Sequence, residues 1–513
     1  MWKERVDEIF GGPSGSKLKA IIGPRVGNRA REVFKKIADP FAKEAFEKKS
    51  HTQARQLRDY SPWLAEFDAI QYGHDNLEIP GQYDGRSRPM PEYHVKIASF
   101  DSRIELMNSL RRPCRIIIRG SDEKDHQFLI KGGEDLRQDQ RIEQIFVAIN
   151  DLLKEDSDCR RKNYSIMTYQ VIPVSSKVGM IEWVKSVMPL MDVVSDQARR
   201  MQCFEAINKM IHDMNKHWLP ANMPDYNEWV KKGTYTQVVE RFNKLQNNIP
   251  PDILRQAYIR LSADPESFLT LRKIFASSYG VMCVTNWILG IGDRHPSNIL
   301  ISTSTAKVLG IDFGHAFGSA TEWLPIPELA PFRLTRQIRE LLSPHSTYQG
   351  ELRQVMVRCL STLRSRADSL LPILDVFVHD PSVDWAKFAK KTRKLDGRVS
   401  ATQTGSRGAS APTPDEGTDR LWYARRKMNI VKWKLEGGNP AYITSDEIKH
   451  NSSCFQYSKY WCSVARGHKE KGNHRAMQPE RNLTAEDQAD CLIDLATDPN
   501  VLGRVWKGWK SWL

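Results

Sequence analysis

GIGDRHPSNILI (290–301), followed closely by GIDFGHAFG (310–318), is the stretch whose reading decides the fold. Within it, NILIST (298–303) and KVLGIDF (307–313) are short apolar runs separated by a polar turn, the pattern of a tight strand–turn–strand. Polar groups sit at its ends. Asp293 and Asn298 are five apart, and Asp312 lies fourteen residues past Asn298. Upstream, the apolar run from about 280 to 292 contains Thr285 and Asn286. It is too short to span a bilayer, which takes about 20 residues.

The chemistry that fits this spacing is phosphoryl transfer. That reaction needs metal ligands, positive groups over the phosphates and a carboxylate near the attacking hydroxyl. Asp293 supplies a base, and Asn298 and Asp312 supply two oxygen ligands for Mg²⁺. The Asp-to-Asn spacing is that of the kinase loop HRDxxxxN, and Asp312 opens a DFG tripeptide. A lone DFG is a weak signal. DRHxxN plus DFG between apolar runs is a specific one.

Working outward, CRIIIRG (114–120), the polar turn SDEKD (121–125) and QFLIKGG (127–133) form a hairpin signature. The second run ends in Lys131, whose ammonium suits the α and β phosphates of ATP. A helix is expected from about Asp135, a buried strand over YSIMTYQVIPV (164–174), and mainly helix over 185–290 and 334–380. The chain has no GxGxxG, and GGPSGSK (11–17) fails the spacing of a phosphate loop and reads as a plain loop. Residues 400–419 are rich in Ser, Thr, Gly and Pro, the composition of a disordered linker.

The order DRH, in place of HRD, together with GEDLRQD (133–139), resembles the phosphatidylinositol 3-kinase-related protein kinase family. SLRRPCRIIIRG, GHAFGSATEWLPIPEL, PFRLTRQ and the tail ATDPNVLGRVWKGWKSWL narrow the resemblance to its DNA-dependent branch. The likeness runs from about residue 61 to the C-terminus and is loose before that.

What the resemblance implies is concrete. The fold is α+β, a bilobal phosphatidylinositol 3/4-kinase-like protein kinase with a flanking helical segment and a C-terminal FATC element. It implies a helical segment over 1–75, a connector over 76–95, an N-lobe over 96–184, a C-lobe over 185–395, a linker over 396–420, helices over 421–481, and FATC over 482–513. His295 reaches the reacting phosphate, Asp139 or Glu134 holds Lys131, and Asn108, Ser109 and Leu110 approach the phosphates. Ile181, Glu182, Trp183 and Val184 form the adenine hinge, with plain core the alternative for Trp183. Cofactors are ATP with Mg²⁺, or Mn²⁺ in its place. Substrates are proteins with Ser or Thr followed by Gln; Trp323, Leu324 and Pro325 are candidate walls for that Gln, and Thr402-Gln403 is a candidate autophosphorylation site, with a chance pair the favoured alternative. Family members act in the nucleus in DNA double-strand break repair by non-homologous end joining. They bind the Ku heterodimer and DNA ends through long upstream repeats, so this chain reads as a fragment.

Two rivals stand beside this reading: a phosphoinositide lipid kinase and a non-catalytic scaffold of the same fold. A phosphoinositide head group asks for clustered Lys and Arg in the segment after DFG. Residues 314–333 carry one Arg, at the far end, with Glu322 and Glu328. The scaffold reading must explain why every catalytic position is filled. Trp506, Trp509 and Trp512, three apart, would share a face of a helix packed near that segment, with a membrane-interface cluster as the weaker alternative.

Bulk numbers set the frame. Lys plus Arg is 76 against 62 Asp plus Glu, a net of +14 spread along 513 residues. This suits an anionic partner or simply a basic nuclear protein. The 8 cysteines form no CxxC pair, which disfavours zinc ribbons and fits a reducing compartment. The opening MWKERVDEIF is no signal peptide, so a soluble intracellular protein is expected.

Overall fold

The described residues fall into two compact units; in the first, 53–69, 77–79 and 90–132, strands dominate, and the second draws on 80–89 and 133–513. The computed structural model describes residues 53–69, 77–217 apart from 84, 86, 87, 108 and 110, then 223–344, 350–379 and 421–513. The expected helices of residues 1–52, the linker at 396–420, Thr402-Gln403, Asn108 and Leu110 lie outside the described residues.

In the first unit, β1 (Gln53–Gln56), β2 (Ile97–Phe100), β3 (Arg103–Leu106), β4 (Cys114–Gly120) and β5 (Asp125–Gly132) pair antiparallel. The Ile-rich β4 is central. β2 and β3 share one of its edges, and β5 takes the other. Ile116 and Ile118 are buried and Arg119 is exposed, the period-two pattern of a half-buried strand. β1 corrects the expected all-helical 1–75 segment. Its residues, QARQ, have low strand propensity, and pairing with β3 overrides it.

In the second unit, α1 (Arg137–Glu155) buries Ile142, Ile145, Phe146, Ile149, Leu152 and Leu153, one face at helical spacing. The compact units divide at Gly132–Gly133, inside the segment 96–184 expected as one lobe. The reason is that this face joins the core built by α5 (Pro265–Leu289) and α7 (Glu351–Ser365). β6 (Val171–Pro173) and β7 (Val178–Glu182) form a hairpin. The long strand expected over 164–174 shrinks to β6 because the Asn150 amide bonds both Ile166 N and Ile166 O, at 2.9 Å each, in place of a ladder. β8 (Val187–Pro189), inside the stretch expected as helix, pairs with β9 (Ile299–Ser302), which pairs with β10 (Val308–Gly310).

α5 delivers the site. Asp264 and Ser267 form a capping box at its start, with Pro265 at the first turn. From Phe275 it is buried on nearly every face, and Gly290 ends it at φ 60. α6 (Arg336–Leu342) follows the segment after DFG. The C-terminal part adds α8 (Trp422–Leu435), α9 (Pro440–Lys449), α10 (Ser458–Arg466), α11 (Ala485–Thr497) and α12 (Pro499–Leu502). Among the described residues no helix is long and apolar enough to cross a membrane.

Candidate active site

Arg294 organises the loop that α5 presents. It is 1% exposed, and its guanidinium donates to Gly292 O (2.9 Å) and Ile311 O (2.9 Å), and also to Asp312 O. The carbonyls flanking Asp293 and Asp312 are thus gathered on one cation. Asn298 adds two ties: its Nδ2 donates to Asp293 O at 3.0 Å, and its carbonyl accepts from Ile311 N at 3.1 Å. Asp293 and Asp312 both sit at left-handed φ, 58 and 61. Burial lowers the Arg294 pKa, with Glu328, Asp312 and Asp293 opposing. Sequence reading passed over Arg294. Its signal was its place between two named residues in DRH.

The side-chain oxygens stay largely outside this anchoring. The bonds of Asn298 use its amide nitrogen and its carbonyl. Among the described residues no hydrogen bond ends on its Oδ1 or on the Asp293 carboxylate, and Asp312 Oδ1 receives only a long one, 3.4 Å, from Gly314 N. His295 Nδ1 accepts from Ser297 N at 3.2 Å, which leaves the ring proton on Nε2 as a donor. Burial lowers the His295 pKa below its ordinary 6.5, with Asp293 opposing.

α1 grips the DFG motif. Asp139 Oδ1 accepts from Phe313 N at 2.9 Å, and Gln138 Nε2 donates to Phe313 O at 2.7 Å. The Phe313 ring meets Phe146 edge-on at 5.3 Å and stacks near Tyr169 at 6.5 Å. Asp139 therefore has a structural duty that the sequence did not disclose. Glu134 is half-buried just before α1. Lys131 is half-buried on β5 of the first unit, and Ser109 lies in the turn between β3 and β4. On the expected hinge, Ile181 and Val184 pack against the core, Trp183 is half-buried, and the exposed Glu182 accepts from Gln170 N at 2.9 Å.

The charges of the segment after DFG point inward. Glu322 is fully buried, accepts from Tyr423 Oη (3.0 Å) and Arg426 Nη1 (3.3 Å), and pairs with Lys427. Glu328 accepts from Asp293 N (2.8 Å) and Trp509 Nε1 (3.0 Å). Arg333 donates to Arg294 O (3.0 Å), Lys510 O (2.9 Å), Leu513 O (2.7 Å) and Trp509 O. Trp323, Leu324 and Pro325 stay half-buried, with Trp323 tilted at 5.9 Å from Tyr423.

The tail packs on that segment as expected, but not as a helix. Only Lys507–Trp509 makes a 3-10 turn, and Lys510 leaves it at φ 52. Arg333 takes the tail carbonyls that helical bonds would need. Trp506 and Trp509 join one apolar cluster and Trp512 another, so the three do not share a face.

A model of the phosphatidylinositol 3- and 4-kinase family matches residues 125–387, and a model of the FATC domain matches residues 482–513. The chain belongs to the phosphatidylinositol 3- and 4-kinase family. Within it, the chain is similar to the DNA-dependent protein kinase catalytic subunit of Mus musculus, 42% identical over 482 residues, covering 91% of this chain and 11% of that protein. The same subunit of Canis lupus familiaris is 42% identical over 527 residues, covering 100% of this chain and 12% of that protein. The chain thus spans about an eighth or less of the length of these relatives. Among solved structures, "FAT and kinase domain of CtTel1" has the same fold: TM-score 0.59, 21% identity, covering 91% of this chain and 27% of that one. This phosphatidylinositol 3- and 4-kinase fold, with its FATC element, is that of the related protein kinases.

Proposed function

We propose that this chain is the catalytic part of a serine/threonine protein kinase that moves the γ-phosphoryl group of ATP to Ser or Thr followed by Gln. One observation carries the proposal. Arg294 and Asn298 hold the backbones of Asp293 and Asp312 together while the Asp293 carboxylate and Asn298 Oδ1 accept no hydrogen bond from the described residues.

In this reading the acceptor oxygen attacks the γ-phosphorus, the bond to the β–γ bridging oxygen breaks, and ADP leaves. Asp293 orients the acceptor hydroxyl and takes its proton. His295 donates from Nε2 to a γ-phosphate oxygen. Lys131, held by Asp139 or Glu134, meets the α and β phosphates, with Asn108, Ser109 and Leu110 over them and residues 181–184 at the adenine. Asn298 and Asp312 would hold Mg²⁺ or Mn²⁺; two oxygen donors without a closed protein cage suit a hard cation shared with phosphates. When bound, that cation would neutralise charge developing on the phosphates.

Protein is favoured over lipid as the acceptor. The one Arg or Lys of 314–333 is Arg333, buried on the tail carbonyls, so no cation of this segment is left for an inositol phosphate. Trp323, Leu324 and Pro325 then wall the Gln that follows the acceptor. By similarity to its relatives, the whole protein would act in the nucleus on DNA ends with Ku, in double-strand break repair. The test is transfer from labelled ATP to a Ser-Gln peptide, a Ser-Ala peptide and phosphatidylinositol vesicles. Asp293→Asn is expected to lower peptide transfer about 10²–10⁴-fold while ATP still binds. Transfer to lipid, or undiminished transfer by Asp293→Asn, would overturn the reading; absence of transfer with intact ATP binding would favour the scaffold.

A further inference from the structure

The backbone N–H of Asp293 has its acceptor 35 residues away, in Glu328 Oε2 at 2.8 Å. The other oxygen of the same carboxylate accepts from the indole N–H of Trp509 at 3.0 Å. Glu328 is 9% exposed and Trp509 is 4% exposed. One buried carboxylate therefore joins the backbone of the proposed base to the C-terminal tail.

The neighbourhood leaves this joint little slack. A Cβ added at Gly292 would stand 2.3 Å from Ala320 Cβ and 3.3 Å from Glu328 Oε2. Arg333 makes a parallel tie to the next residue. It donates to Arg294 O at 3.0 Å, holds the tail carbonyls, and lies 4.1 Å from the Trp509 ring. Both residues of the Asp293–Arg294 pair are thus anchored on the tail, one through a carboxylate and one through a guanidinium.

We infer that Glu328 is a positioning residue, anchored by the indole N–H of Trp509, through which the C-terminal tail sets the backbone of Asp293. The inference rests on the kinase reading. It assigns Glu328 and Trp509 to the chemical step and not to nucleotide binding, because neither bonds Asn298 or Asp312.

The test uses the full chain. Trp509→Phe keeps a ring under Arg333 and removes the N–H together with part of the buried indole, and Trp506→Phe is the control for the smaller ring. Glu328→Gln keeps the shape and turns one acceptor into a donor. Each is expected to lower kcat about tenfold, the order for one hydrogen bond to a charged group, with KM for ATP unchanged. The double variant is expected to be no slower than the slower single, since the two groups act as one unit. Trp506→Phe, a tail indole without this bond, is expected to keep the parent kcat. Amide hydrogen exchange of the 290–299 segment, which needs no turnover, is expected to quicken in Trp509→Phe. That readout separates failure of the inference from failure of the kinase reading. Unchanged exchange, multiplied effects in the double variant, or an equal loss in Trp506→Phe would overturn the inference.

Discussion

Asp293 and Asp312 show how single residues set this site. Both adopt left-handed φ, 58 and 61, which costs an ordinary side chain about 1 kcal/mol but which Asp and Asn tolerate. Asp312→Asn is therefore expected to keep the parent melting temperature within a degree or two, whereas Asp312→Ala is expected to lose about 1 kcal/mol, read by chemical denaturation. Equal loss in both would contradict the backbone role. Glu328 adds a pH dependence. Burial and the charge of Asp293 push its pKa from 4.5 up to about 7, against the Asp293 and Trp509 N–H donors and Arg294. Between these values the folded chain holds a proton that the unfolded chain has released. Stability therefore falls as pH rises through that window and stays lower above it. His295, with its lowered pKa, acts with the opposite sign, so the comparison is between variants. Glu328→Gln is expected to flatten the fall of melting temperature between pH 5 and pH 7.5; an unchanged slope would contradict the assignment.

At the scale of elements, buried ion pairs decide how the C-terminal part holds together. Arg475 is fully buried and donates to Asp494 (2.8 Å) and Asp498 (2.5 Å), tying its short helix to α11 and α12. Removing one partner of such a pair strands buried charge, at about 3–5 kcal/mol. Arg475→Met is expected to lower the stability of the chain by that amount, read by denaturant unfolding, and a loss under 1 kcal/mol would contradict it. The same scale shows what the sequence made legible. β4 and β5, α1, and β9 and β10 announced themselves because their residues carry strong local periodicity and turn chemistry. β1 and β8 did not, because QARQ and VMP have little pattern and owe their conformation to partners distant in sequence. The 290–301 loop, which ties Asn298 to Asp293, was readable from spacing. The burial of Glu322, Glu328 and Arg333 was not, since their partners Lys427, Trp509 and Leu513 lie 105, 181 and 180 residues away.

For the molecule as a whole, the charge and the site are separable matters. The net +14 is spread along the chain, and the basic residues that the structure uses near the site, Arg294 and Arg333, are buried on carbonyls. In the proposal, attraction of a triphosphate thus falls to Lys131 and not to these two arginines. The proposal needs Lys131, Asn298 and Asp312 to act on one triphosphate. The most direct measurement is calorimetric titration of MgATP into the parent chain and into Lys131→Met, Asn298→Ala and Asp312→Asn. Each variant is predicted to bind about tenfold or more weakly, roughly 1.4 kcal/mol, with its fold intact by circular dichroism. Parent-like affinity in Lys131→Met or in Asp312→Asn would contradict a single shared nucleotide site.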